Sequence, residues 1–292
     1  MKGKIIRGIA GFYYVDAIGT GVFECKAKGI FRNNNEKPLV GDNVELEILD
    51  MENMLGNITK ILPRKNSIIR PAVANADQAV IIFAASYPKP DLNLLDRFLL
   101  MMAMQDMPVS ICFNKTDDAE EGVVLQISDN YKDSGCKVFL TSTVTGRGIA
   151  SLKKSLEGKT TVLAGPSGAG KSSMLNQLFP EAGMAVGNIS RKIKRGKHTT
   201  RHSELFGMGD STYIMDTPGF TSLRLPDARK EEIKEYYPEF QEYIGECRFS
   251  GCVHINEPGC AVKEATGRGD ISQSRYDNYK QFYEEISRLR KY

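Results

Sequence analysis

The residues best suited to chemistry fall into four groups. The first is Gly165-Pro166-Ser167-Gly168-Ala169-Gly170-Lys171-Ser172, between the apolar run TTVLA and the stretch SMLNQLF that opens with Ser173. That is the strand–loop–helix setting of a phosphate loop. Its glycines let successive backbone N–H groups point inward, which forms an anion nest at a helix N-terminus. Lys171 would neutralise β- and γ-phosphates, and the Ser172 hydroxyl would complete a Mg²⁺ shell.

The second group is Asn114-Lys115-Thr116-Asp117, which ends the strand-like run VSICF. An NKxD sequence reads guanine. Its carboxylate accepts from the ring N1–H and exocyclic amine, the lysine stem covers the purine face, and the asparagine ties the loop to the phosphate loop. The run CKVFLTST then ends in Thr141-Ser142, where GTPases place a loop whose backbone contacts the guanine carbonyl. For Ser142 a plain turn is an equal alternative.

The third group is Asp216-Thr217-Pro218-Gly219, after STYIM, a DxxG switch. Asp216 would hold Mg²⁺ through water, and the Gly219 N–H would sense the γ-phosphate. Between loop and switch lies GNISRKIKRGKHTTRHSELF, in which Thr199 or Thr200, with Thr200 favoured, would reach Mg²⁺. Phe220 stands where many GTPases carry a water-orienting glutamine, so slow intrinsic turnover is expected. His198 is the candidate to orient that water and His202 a lesser one. The competing reading is a histidine exposed in a basic loop. Arg191, Lys192, Lys194, Arg195, Lys197 and Arg201, with no acid among them, give this segment the footprint of a phosphate-backbone partner.

The fourth group is Cys247-x4-Cys252-x-His254-x5-Cys260, which brings three of the six cysteines together with one of three histidines. Four soft ligands suit tetrahedral Zn²⁺, and with no position left for water the site would be structural. Without an export signal, such a cluster favours metal over disulfide.

The elements that must position these groups differ along the chain. Residues 1–65 alternate at period two between glycine-rich turns (KIIRGIAGFYYV, TGVFECKAKGIF, DNVELEIL, GNITKILP), which predicts a small barrel of about five strands. A nucleic-acid surface and a mere spacer are equally open readings of it. From 66 to 225, strand-like runs (QAVIIFAAS, PVSICFN, CKVFLTS, TTVLAG) alternate with helix-like ones (DLNLLDRFLLMMAMQ, AEEGVVLQISDNYKDS, GIASLKKSLEG), as in a parallel sheet covered by helices. The methionines at 101–107 are read as core filling. From 226 to 292 the chain turns helical and charged, ending in the amphipathic YKQFYEEISRLRKY.

At 292 residues, a prior of roughly 100–200 residues per domain gives two or three domains. A hydrophobic share of 41% supports a sizeable core, and a net charge of +3 is too small to name a partner by itself. No uncharged apolar run approaches the ~18 residues of a membrane span. The opening MKGKIIRGIAGFYYVDAIG is broken by Arg7 and Asp16, and is read as a strand of a cytosolic protein rather than a signal peptide.

The order of the motifs is unusual. GTPases run phosphate loop, switches, NKxD, and here NKTD comes first. Since each motif follows its own strand-like run, a circular permutation explains the order. The new cut falls just after DTPG, so loss of the γ-phosphate is expected to reorient the C-terminal region.

Together, barrel, NKTD, GPSGAGKSS, DTPGF and the cysteine–histidine cluster resemble the small ribosomal subunit-dependent GTPases of bacteria, a circularly permuted family, over essentially the whole chain. The resemblance implies a multi-domain α/β protein with an oligonucleotide-binding barrel, a central permuted P-loop GTPase domain and a C-terminal, mainly helical zinc domain. It also implies a cytoplasmic GTP hydrolase that binds the small subunit and its rRNA late in maturation and is stimulated by it. A monomer is expected. Two rival readings differ in kind: an RNA-binding assembly factor whose hydrolysis is incidental, and an ATP-using enzyme with a chance NKTD.

Overall fold

The computed structural model describes residues 1–27, 37–69, 72–180, 204–216, 225 and 228–289. Five strands, β1 (Lys2–Ile9), β2 (Phe12–Ala17), β3 (Gly21–Ala27), β4 (Asn43–Asp50) and β5 (Leu55–Ile61), close a barrel in the order β1-β2-β3-β5-β4. Alternation buries Ile5, Val15, Phe23, Cys25, Val44, Leu46 and Ile58 inside it. The barrel is the one the period-two pattern predicts.

A two-stranded ribbon follows, β6 (Ser67–Ile68) with β7 (Val73–Ala74). Its strands are two residues each, too short to leave a periodic signal. Then come β8 (Gln78–Ala84), helix α1 (Leu92–Ala103), β9 (Val109–Asn114), α2 (Glu121–Asp129), β10 (Lys137–Leu140) and α3 (Ile149–Leu156). These lead to β11 (Thr160–Ala164), α4 (Lys171–Leu178), β12 (Leu205–Gly207) and β13 (Tyr213–Asp216). The strands β10-β9-β8-β11-β13-β12 form one sheet in that order. β9 with β10 and β11 with β13 are parallel, and β12 runs antiparallel to β13 at an edge. All residues of β8 and β11 are buried, which explains their unbroken apolar sequence. Asp91 caps α1 by accepting the Leu94 N–H at 3.0 Å. Met101 and Met102 are buried, as the core reading expects.

The C-terminal region holds α5 (Pro238–Gln241), α6 (Ala261–Arg268) and α7 (Gln273–Leu289). Its core is aromatic, with Tyr237, Phe240, Tyr276, Tyr279 and Phe282. Gly269, with φ +85°, closes α6 in the left-handed conformation that glycine adopts without strain. No helix among the described residues is long and apolar enough to cross a membrane.

The chain divides into two compact units. One holds Met1–Val80, Ile149–Ala164 and Lys171–Pro218, and the other Ile81–Gly148, Gly165–Gly170 and Gly219–Tyr292.

Candidate functional site

Within the second unit, NKTD and the phosphate loop meet. Asn114 ends β9 fully buried, and its Nδ2 donates to the Ala169 carbonyl at 3.1 Å, across 55 positions of sequence. Gly170, with φ +93°, must lack a side chain, because a Cβ there would collide with the same Asn114 amide. Gly165 is equally constrained, since a Cβ would strike the Ile82 carbonyl. The sequence reading assigns Asn114 this tie, and the geometry supplies it.

Thr141 holds the other side of Asn114. Its Oγ1 donates to Asn114 Oδ1 at 3.2 Å, and its carbonyl accepts from the Thr116 N–H and hydroxyl, both at 3.1 Å. Asp117 lies exposed in the 3-10 turn Thr116–Asp118. Lys115, at φ +63°, sits in the left-handed region that costs a non-glycine residue about 1 kcal/mol or more. Its Nζ donates to the Tyr87 carbonyl at 2.7 Å, and the Ser86 hydroxyl donates to Asp118 Oδ2 at 2.9 Å. Ser86 and Tyr87 carry no motif, so nothing in the sequence marked this support. Ser142 is buried and its Oγ accepts from the Val144 and Thr145 N–H groups at 3.2 and 3.0 Å, a turn-forming role.

Pro166 and Gly170 are half-buried, Ala169 is buried, and Ser167 and Gly168 are exposed. Gly170 leads straight into α4, whose first residues are Lys171, Ser172 and Ser173, with both serines exposed. In the first unit, burial lowers the Lys171 pKa from its ordinary value, and the Asp216 carboxylate raises it in opposition. Asp216 ends β13 half-buried. Thr217, Pro218, Gly219 and Phe220 lie outside the described residues, as do His198, Thr199, Thr200, His202 and the basic run from Arg191 to Arg201.

The fourth group does assemble. One ligand atom from each of Cys247, Cys252, His254 and Cys260 lies within 4.8 Å of the others, so the cluster could hold a metal ion. His254 Nδ1 stands 3.6 Å from the Cys247 sulfur and 3.4 Å from that of Cys260. Burial drives the His254 pKa down to about 4, which keeps the imidazole in its neutral, ligating form. Burial pushes the Cys252 thiol up to about 12, so its thiolate needs a cation beside it. Three sulfurs and an imidazole fit such a cation chemically.

The loop is held by residues that the motif does not reveal. Glu257 accepts the N–H groups of Val253, Ile255 and Asn256 at 2.8, 2.9 and 3.0 Å. Tyr276 and Tyr279 on α7 donate to the carbonyls of His254 and Val253. Nearby, buried Arg275 donates to Asp96 of α1 and to Glu239 of α5, each at 2.7 Å, and Asn278 donates to Asp96 at 2.6 Å. Burial raises the Asp96 pKa above its ordinary value, although the Arg275 charge opposes the rise.

Comparison with known proteins agrees with this geometry. The RsgA GTPase family model matches residues 61–226, and the RsgA N-terminal domain model matches residues 2–55. A small ribosomal subunit biogenesis GTPase RsgA from Agathobacter rectalis is 55% identical over all of both chains. The crystal structure of YjeQ from Thermotoga maritima superposes with a TM-score of 0.81 at 33% identity, covering 98% of each chain. That of YloQ, described as a circularly permuted GTPase, gives 0.80 at 36% identity, covering 100% of this chain and 96% of the other. With barrel, re-threaded sheet and cysteine cluster all in place, the chain belongs to the RsgA GTPase family.

Proposed function

We propose that the chain hydrolyses GTP to GDP and phosphate while bound to the small ribosomal subunit, during late maturation of that particle. Family membership makes it a GTP-hydrolysing enzyme, and its relatives are named for small-subunit biogenesis. The observation that carries the reading is the bond from Asn114 to the Ala169 carbonyl, which joins a guanine-reading sequence to a phosphate loop.

In this reading Asn114, Lys115, Thr116, Asp117 and Ser142 surround guanine, and Gly165 through Ser173 cradle the phosphates. Ser172, Thr200 and Asp216 hold Mg²⁺, which offsets charge on the transferring phosphoryl group. Gly219 senses the γ-phosphate and His198 orients the attacking water. Cys247, Cys252, His254 and Cys260 hold one structural Zn²⁺. The cut points 65 and 225 separate barrel, GTPase and zinc domains, near the family-model bounds at 55, 61 and 226. The chain works as a cytoplasmic monomer, and its basic segment meets rRNA.

Turnover measured with purified small subunits, large subunits and neither tests substrate and partner together. Strong stimulation by the small subunit alone is expected, and equal rates in all three would refute the partner. For the substrate, Asp117→Asn should lose GTP and gain xanthosine triphosphate. An unchanged preference for GTP would refute Asp117 as the guanine reader.

A further inference from the structure

Two contacts join the barrel to β12 and β13, all within the first unit. A register shift between Ile5 and Arg7 in β1 puts a bulge there, and bulges re-aim side chains. Arg7 forms an isolated antiparallel bridge to Glu204, with Nη1 3.4 Å from Oε1. The Tyr14 ring backs that guanidinium at 3.9 Å. One strand over, the Tyr213 hydroxyl donates to Asp16 Oδ2 at 2.9 Å, and Lys4 Nζ stands 5.5 Å from the Tyr213 ring. Burial raises the pKa of both Glu204 and Tyr213 from their ordinary values, so these groups meet in partly dehydrated surroundings.

The placement of the two contacts is informative. Glu204 immediately precedes β12 and follows the stretch that carries His198 and Thr200. Tyr213 begins β13, which ends on Asp216. The two strands pair with each other, Leu205 to Met215 and Gly207 to Tyr213. The barrel therefore grips β13, whose far end is Asp216, through Tyr213, and through Glu204 it holds the edge strand β12 paired beside it.

We infer that Arg7 and Asp16 are positioning residues for Mg²⁺-dependent GTP hydrolysis. They act through Glu204 and Tyr213 on the placement of Asp216, at the end of the strand that Tyr213 begins. The inference rests on the role proposed above for Asp216. It gives the barrel a part in the reaction itself, in addition to any surface it offers to RNA.

The test uses the full chain without ribosomal subunits, with GTP turnover followed across a Mg²⁺ titration. Losing one such contact, worth about 1 kcal/mol, corresponds to a ~5-fold rise in the Mg²⁺ needed for half-maximal turnover. That rise is expected in Tyr213→Phe, Arg7→Glu and Glu204→Arg, with GDP affinity measured in chelator unchanged. The combined Arg7→Glu, Glu204→Arg variant should return close to the unmodified chain. A merely structural role would lower the unfolding midpoint and leave the half-saturating Mg²⁺ where it was, and that outcome overturns the inference. Tyr213→Phe removes one oxygen and covers the case in which a charge reversal fails to fold. Asp216→Asn is the control: if it leaves the Mg²⁺ dependence unmoved, the functional reading of Asp216 is at fault, and the inference falls with it.

Discussion

The barrel and the C-terminal helical region are both small, and they keep their shape by different means. The barrel's strands close on themselves, and its interior is mostly aliphatic, with Ile5, Val15, Val44, Leu46 and Ile58. Its cohesion is spread over many backbone bonds and methyl contacts. The C-terminal region packs rings instead: Phe240 lies 5.0 Å from both Tyr237 and Tyr279. Around those rings it gathers a thiol–imidazole cluster and a buried arginine with two carboxylates. Cohesion here is concentrated in a few side chains, so single changes should affect the two regions very unequally.

Removal of the Zn²⁺ proposed for the cysteine–histidine cluster should separate them most. Binding of a structural zinc ion is worth roughly 10–16 kcal/mol in small zinc peptides. Chelation, or Cys252→Ala, should therefore strip amide protection from α5, α6 and α7 and leave β1–β5 protected. Region-resolved hydrogen exchange reads this directly, and equal loss in both regions would erase the contrast.

The next largest effect belongs to Arg275, 3% exposed at its side chain between Asp96 and Glu239. Arg275→Met leaves two buried carboxylates without their cation, a loss of about 3–5 kcal/mol. Changing Asp96 and Glu239 to leucine in the same chain should restore most of that stability, as seen in urea unfolding midpoints. If the single and triple variants unfold together, the triad does not hold the region.

Ile58→Val should be mildest. Deleting one methyl from the barrel core costs roughly 0.5–1.5 kcal/mol. Exchange should quicken across β1–β5 together, since their ladder is shared, and a change confined to β5 would argue against that sharing.

What sequence alone revealed follows the same division. Alternation around Ile5, Val15 and Val44 is local and periodic, so the barrel could be read at once. NKTD and the phosphate loop were readable because each motif follows its own strand. The tie between Asn114 and Ala169 was expected from motif logic, although only the folded sheet brings them together. Arg275 gave no signal, because its partners Asp96 and Glu239 lie 179 and 36 positions away and share no spacing rule. Ser86 and Tyr87 were silent for a related reason: Tyr87 contributes a backbone carbonyl, which every residue type possesses.

The edges of the six-stranded sheet carry a further consequence. An unpaired strand is a template for sticking to other chains, and natural proteins blunt such strands with lysine, brevity or a covering segment. At one edge β10 presents exposed Lys137. At the other, β12 is three residues long and is met by the bulged part of β1. A truncated protein lacking residues 1–65 would bare that margin, and its tendency to clump during expression would reflect the loss of a guard as much as the loss of the barrel's own surface.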